Sequence, residues 1–227
     1  MIPARGGSKR IMRKNIKEFC GVSMLSRAIY LLKTSDLFDH IFVSTEDVEI
    51  AQLAQKLEVD CQELRNEELS GDFIGIDEVM KDFCHNHKDN IPEDSTVLCL
   101  FPCTPFLERS DLSRFLELHQ RHRTSLVFPV AEYPSNPDRA LVSVGSNKFV
   151  FNRPENSMKR TQDLPLYYYD AGQFYIATAG VWKSSTQKSY VCDDIERWKA
   201  IDIDNEEDWE LAELLYKSKV NSERAIK

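Results

Sequence analysis

Apolar residues recur at near-helical spacing from Ser23 to Thr34, where Met24, Leu25, Ala28, Ile29, Leu31 and Leu32 fall on one side and predict an amphipathic helix. His40 to Ser44 is short, apolar and β-favouring. Val48 to Leu57 then resumes helical period through Ile50, Ala51, Leu53, Ala54 and Leu57. Asp77 to His87 predicts another helix. Thr96 to Phe101 is a continuous apolar run bounded by Ser95 and Pro102, the pattern of a strand buried on both faces. Ser110 is placed to cap a helix reaching His122, and Leu126 to Ala131 is a second buried strand. Gln173 to Thr178 and Ala200 to Ile203 predict two more strands, and Asn205 to Lys217 predicts a closing helix.

Strands alternating with helices imply crossover units, hence an α/β fold with a mostly parallel sheet and helices on both faces. Such sheets take their ligands beyond the carboxyl ends of the strands. The loop before Ser23, the turn after Ser44 and the loops after Phe101 and Ala131 should therefore gather on one edge. Residues 133–170 break the alternation. They open on Tyr133-Pro134-Ser135-Asn136-Pro137, lose apolar periodicity and cluster aromatics at Tyr167, Tyr168 and Tyr169. This stretch reads as an arm leaving a single domain of residues 1–227, and long insertions of this kind are usually functional or interfacial.

Charge changes the picture at one place. Residues 1–17 hold six of the chain's 29 Lys and Arg (Arg5, Lys9, Arg10, Arg13, Lys14, Lys17) and none of its 37 Asp and Glu, around a Gly6-Gly7-Ser8 turn. An acidic protein with one basic glycine loop suits a small polyanion such as a phosphate ester. It does not suit duplex nucleic acid, which needs an extended basic face. No apolar run approaches the ~20 residues of a membrane span. The basic start lacks the apolar stretch of a signal peptide, so a cytoplasmic location is expected. Cys20, Cys61, Cys84, Cys99, Cys103 and Cys192 form no C-x-x-C pair and read as reduced thiols. His119 and His122 share a helix face without a third ligand and read as solvated surface residues.

The glycine loop has neither Walker A nor G-x-G-x-x-G spacing, and the chain contains no G-x-S-x-G elbow and no H-E-x-x-H pair. Instead, Ile2-Pro3-Ala4-Arg5-Gly6-Gly7-Ser8-Lys9-Arg10-Ile11 with Arg13-Lys14-Asn15-Ile16, a helix, and then Phe42-Val43-Ser44-Thr45-Glu46-Asp47, resembles the acylneuraminate cytidylyltransferases. These enzymes activate nine-carbon acidic sugars with CTP. Leu64-Arg65, Phe101 to Leu107 and Ile201-Asp202-Ile203-Asp204 fall where that family carries further motifs. Gly71 to Glu78, Asn136-Pro137-x-Arg139 and Arg160 to Leu164 leading to Asp170-Ala171-Gly172 look most like the branch acting on pseudaminic acid.

The resemblance implies a Rossmann-like sheet of the nucleotide-diphospho-sugar transferase type, with a protruding arm over 133–170 that serves a homodimer and the sugar site. It implies CMP transfer from CTP to the anomeric hydroxyl of a 2-keto sugar acid, releasing pyrophosphate. Arg5, Lys9 and Lys14 are then expected on the triphosphate, with Ala4, Gly6, Gly7 and Ser8 cradling it. Asn15 is expected to hold either the loop or the nucleotide, and Arg65 to lie near the cytosine. Asp202 and Asp204 alternate by two, so both carboxylates would face one way and share a Mg²⁺ ion. Asp204 has a rival role, since with Glu207 it reads as a capping box for the last helix. Arg139 and Arg160 suit the sugar carboxylate, and Asp170 and Gln173 suit its hydroxyl and acylamino groups, or all four make polar contacts within the arm. The same reaction on neuraminate, legionaminate or a related ketoacid remains open, as do a nucleotide-binding protein without catalysis and an NTPase. Because only Met1 and Ile2 precede Pro3, the first strand is expected to be stunted and the true start to lie upstream of Met1.

Overall fold

A computed structural model describes residues 1–61, 64–71 and 73–225. Asp72, within the Gly71 to Glu78 motif, lies outside the described residues. The chain opens with β1 (Ile2–Pro3), a basic loop, and a hairpin of β2 (Glu18–Phe19) and β3 (Val22–Ser23). Ser23 then caps α1 (Met24–Ser35), its hydroxyl accepting the Ser26 N–H at 3.2 Å. The expected face is the buried one, with Met24, Leu25, Ala28, Ile29 and Leu32 in the interior. The helix stops at Asp36, which turns left-handed at φ 58°.

β4 (Val43–Ser44) leads into α2 (Val48–Lys56), capped by Asp47, whose Oδ1 accepts the Glu49 and Ile50 amides at 2.9 and 3.0 Å. After α3 (Ile76–Asn86) comes the buried β5 (Thr96–Leu100). α4 (Arg109–Arg121) starts before Ser110, because Glu108 is the cap and its N–H donates to Asp111 Oδ2 at 2.9 Å. This reciprocal pair displaces Ser110 into the first turn. β6 (Ser125–Glu132) ends where the excursion begins.

The excursion is built from an antiparallel hairpin, β7 (Leu141–Gly145) and β8 (Lys148–Phe151), flanked by short 3₁₀ turns. It returns through β9 (Tyr168–Asp170), which pairs antiparallel with the end of β6, Val130 opposite Asp170. The chain finishes with β10 (Phe174–Thr178), α5 (Ala179–Lys183), β11 (Ser189–Asp194) and α6 (Glu206–Ala225).

Backbone hydrogen bonds join these strands edge to edge. Asp60 bridges to Phe42 in parallel, and β4 pairs parallel with β1. The Met1 amino group donates to Leu98 O at 2.7 Å while Leu100 N–H donates to Met1 O at 3.0 Å, the staggered pattern of a parallel partner. β10 is antiparallel to both β5 and β6, and β11 is parallel to β6. The order is therefore Asp60, β4, β1, β5, β10, β6, β11, with β10 alone reversed among these strands. Its reversal brings Gln173, at the start of β10, to the carboxyl edge beside Phe101, whose N–H donates to Gln173 O at 2.9 Å.

Two further sequence expectations fail. Ala200 to Ile203 is not a strand: Ala200 N–H closes a turn on Arg197 O, and Ala200 and Ile203 are buried as loop residues. The sheet position belongs to β11, whose polar, half-exposed Ser189 to Asp194 gives no apolar run to read. His119 is fully buried rather than solvated, and neither ring nitrogen has a hydrogen-bond partner among the described residues. The thiols are unbridged as expected, although Cys192 is exposed.

Burial, assisted by Arg123, pushes the His119 imidazolium pKa from its ordinary 6.5 down to about 4. The unfolded chain therefore binds the extra proton first. Stability is full above pH 6.5 and falls as pH drops towards 4, by about 3 kcal/mol from this group. His119→Leu should flatten that acid limb when unfolding free energy is measured by urea titration across pH. An unchanged slope would contradict it.

Candidate active site at the carboxyl edge

The basic loop is supported from below by a separate apolar cluster. Ile11, Phe19, Phe106, Ile203 and Trp209 are all buried in it, and Phe19 meets Trp209 edge-on at 5.5 Å. Packing thus ties the loop to α6 and to the loop after β5. Ala4 N–H donates to Ser44 O at 2.9 Å and its side chain is buried, so Ala4 ends β1 and offers a site only its backbone. Asn15 is buried, its Nδ2 donating to Arg5 O at 2.8 Å while its own carbonyl accepts the Leu25 N–H. Of its two expected roles the geometry serves holding the loop.

The glycines divide in purpose. Gly7 is open, with nothing near a would-be Cβ. At Gly6 an added Cβ would lie 2.2 Å from Asp47 Oδ2, and the Gly6 N–H donates to Glu46 Oε1 at 2.8 Å. Gly6 is therefore glycine for close approach to the Glu46-Asp47 pair, and its N–H is already satisfied. Arg13, at φ 55°, is pinned to the same turn by Asp47 at 2.5 Å and by Glu49. Burial alone would raise the Asp47 pKa, but Arg13 and the capping amides outweigh it and hold the carboxyl below its usual range. Arg5, Lys9 and Arg10 are exposed to solvent beside Gly7 and Ser8.

Opposite the loop stands the expected carboxylate pair. Lys14 Nζ donates to Ile203 O at 2.7 Å and lies 3.8 Å from Asp204, and Arg10 donates to Asp204 Oδ1 at 2.7 Å. Lys17 pairs with Glu206 at 2.5 Å. Asp202 is close enough to Asp204 that partial burial, and then repulsion from Asp204, push its carboxyl above the ordinary range against the pull of Lys14 and Arg10. The capping rivalry resolves against Asp204 as the cap. The box is Asn205 with Asp208: Asn205 Oδ1 accepts the Asp208 N–H at 2.9 Å, and Asp208 Oδ2 accepts the Asn205 and Asp204 amides at 3.0 Å each. Neither Glu207 nor the Asp204 side chain takes part in that box.

Arg65 lies where β4 ends, its N–H donating to Thr45 O at 2.7 Å and its guanidinium to Glu46 at 2.9 Å. Asn66 caps the following turn by accepting the Glu68 N–H at 3.0 Å. Asp170 and Gln173 reach the carboxyl edge. Asp170 accepts the Gly172 N–H at 2.9 Å and the Tyr175 hydroxyl at 2.6 Å. Gln173 is buried, its amide donating to Lys199 O while its Oε1 has no partner among the described residues.

Arg139 and Arg160 stay on the excursion. Arg139 is exposed, Arg160 forms a two-point pair with Asp163 at 2.8 and 3.0 Å, and neither hydrogen-bonds to the basic loop. The site thus assembles the loop, the acidic pair, Arg65, Asp170 and Gln173, but not the two arm arginines. Sequence reading missed Glu46 and Asp47 as organisers, although an acid pair directly after a strand end was visible. A cavity of about 1580 Å³ opens instead at the amino ends of β1, β4 and β5, reaching up to Arg65. Its lining lacks the basic loop and both aspartates.

The edge thus sets the cations of the basic loop beside an acidic pair. The cytidylyltransferase family profile matches residues 1–222. The chain is 31% identical to pseudaminic acid cytidylyltransferase of Campylobacter jejuni, over 100% of this chain and 98% of that protein. It is 29% identical to CMP-N,N'-diacetyllegionaminic acid synthase of Legionella pneumophila, over 95% of this chain and 94% of that protein. Its fold matches the structure of CMP:2-keto-3-deoxy-manno-octonic acid synthetase complexed with CTP, with TM-score 0.69 over 96% of this chain and 97% of that one at 15% identity. With a profile match over nearly its whole length and a full-length relative above 30% identity, the chain belongs to the cytidylyltransferase family.

Proposed function

We propose that this protein transfers CMP from CTP to the anomeric hydroxyl of pseudaminic acid, giving CMP-pseudaminate and pyrophosphate. The observation that carries the reading is the meeting of Lys14 and Arg10, from the basic loop, with Asp204 beside Asp202. A triphosphate presented there meets Arg5, Lys9 and Lys14, with the Gly7 and Ser8 backbone alongside. The work of these residues is to neutralise charge and align the α-phosphorus with the attacking sugar hydroxyl, since phosphoryl chemistry needs little else from the protein. Arg65 lies beside the base, and Asp170 and Gln173 offer polar groups to the sugar.

The donor set fits Mg²⁺. Asp202 and Asp204 are paired hard oxygens, and Mg²⁺ typically takes one or two carboxylates, substrate phosphates and water rather than a full protein cage. When bound, the ion neutralises developing charge on the phosphates.

The arm supplies the expected homodimer. Leu141, Val142, Val144, Phe149 and Val150 expose apolar surface on the β7–β8 hairpin, and a second copy covering it explains the patch. No helix is long and apolar enough to cross a membrane among the described residues, and the cytoplasm, where CTP is held, is the proposed location.

Legionaminate and neuraminate are the rival acceptors, supported by the legionaminate-synthase relative at nearly the same identity. Incubating the protein with CTP, Mg²⁺ and each nonulosonate in turn, and following pyrophosphate, should give the highest kcat/KM with pseudaminate. A higher value with another sugar would reassign the acceptor. Pyrophosphate release with none of them would overturn the reading.

A further inference from the structure

Arg65 keeps only 6% of its side chain exposed, and a buried guanidinium needs a partner to fix it. That partner is Glu46. Its Oε2 accepts from the Arg65 guanidinium at 2.9 Å, while its Oε1 accepts the Gly6 N–H at 2.8 Å. Arg65 Nε donates to Ser70 Oγ at 3.1 Å, which orients the fork from its other side. Next door, Asp47 crowds Gly6 and holds Arg13. Burial pulls the Glu46 carboxyl upward, but the backbone amides and Arg65 outweigh it, so it stays ionised and able to accept from both sides.

One carboxylate therefore spans two pieces of the site that lie far apart in sequence, the glycine loop after β1 and the arginine beyond α2. A charge-assisted bond to each oxygen makes the span directional. We propose that Glu46 is the positioning residue for nucleotide choice, setting Arg65 and the glycine loop as one unit so that the grip on the triphosphate depends on the base lying against Arg65. The inference rests on the CTP reading above and adds to it a link between base and phosphate recognition.

The test uses the full chain. Glu46→Gln is close to isosteric, but its single carbonyl oxygen replaces two carboxylate acceptors, so it can serve Gly6 or Arg65 but not both. It should raise KM for CTP about tenfold and lower the kcat/KM preference for CTP over UTP by about as much, with the loss falling mainly on KM. Arg65→Lys should do the same, and the double variant should be little worse than the poorer single one, because both break one linkage. Ser70→Ala, which leaves the Glu46 span intact, should lose far less preference. Thermal melting of each variant reads the fold separately.

A Glu46→Gln protein that melts lower yet keeps its CTP preference within twofold overturns the proposal and makes Glu46 scaffold only. Additive losses in the double variant overturn it too. A wild-type protein that releases no pyrophosphate defeats the functional reading instead, and one that uses CTP and UTP equally defeats the base-reading role of Arg65 and this proposal with it.

Discussion

Replacing Lys14 with methionine should lower kcat/KM for CTP by about 10²–10³-fold, the scale on which a preorganised charge or donor at a reacting group acts. Lys14 is already fixed by its own contacts. Its ammonium donates to Ile203 O at 2.7 Å and lies 3.8 Å from Asp204, so it joins the basic loop to the acidic pair. Methionine keeps the packing of the stem and removes the charge, so melting should change little while turnover collapses. The loss should appear in both kcat and KM for CTP and leave KM for the sugar nearly unaltered. A change below about fivefold would place Lys14 outside the charge-neutralising set.

The largest stability effect is expected at Lys199. This residue is 5% exposed, with Nζ 2.9 Å from both oxygens of the buried Asp111 and 3.1 Å from Glu108, which Lys219 also approaches. Burial alone would lower its pKa, but Asp111 and Glu108 outweigh that and raise it. Lys199→Met leaves Asp111 buried and unpaired, which typically costs about 3–5 kcal/mol. Urea unfolding should show that loss, and Tm should fall by roughly 10 °C. Replacing both partners, Lys199→Met with Asp111→Asn, should recover much of it, because the stranded charge is then gone. Lys199 also closes the turn ahead of Asp202 and accepts the Gln173 amide on its carbonyl, so activity should fall further than unfolding alone explains. A loss below about 1 kcal/mol would show that the pair is not what holds this loop.

The contrast between Lys14 and Lys199 marks what could be read from the chain. Lys14 stands in a basic run around a glycine turn, a local signal, and it lies beside Asp204. Lys199 carries no local signal, because its meaning comes from Asp111, brought to it only by folding α4 against the loop before α6. The helices with clean apolar period, α1, α2 and α3, appear within a residue or two of their expected bounds, and the buried strands β5 and β6 do as well. β11 escaped because an edge strand ending in acids lacks an apolar run, while the apolar Ala200 to Ile203 belongs to a loop packed beneath α6.

At the site, residue type was informative and partner was not. Asp202 and Asp204 were legible as a pair, but the helix cap passed to Asn205 and Asp208 because Asp208 reaches back to two amides at once. Gly6 was legible as a glycine the loop requires, but its cause is the closeness of Asp47. Arg139 and Arg160 show where motif reading and fold part, since both stay on the excursion, Arg160 paired with Asp163.

In the proposed reaction the α-phosphorus of CTP moves to a nonulosonate. ³¹P NMR of the protein with CTP, Mg²⁺ and pseudaminate follows that atom directly. The expected result is loss of the triphosphate signals with stoichiometric growth of pyrophosphate and of one phosphodiester resonance, both dependent on the sugar. Free CMP, CDP or inorganic phosphate appearing at the same rate without sugar would contradict the account.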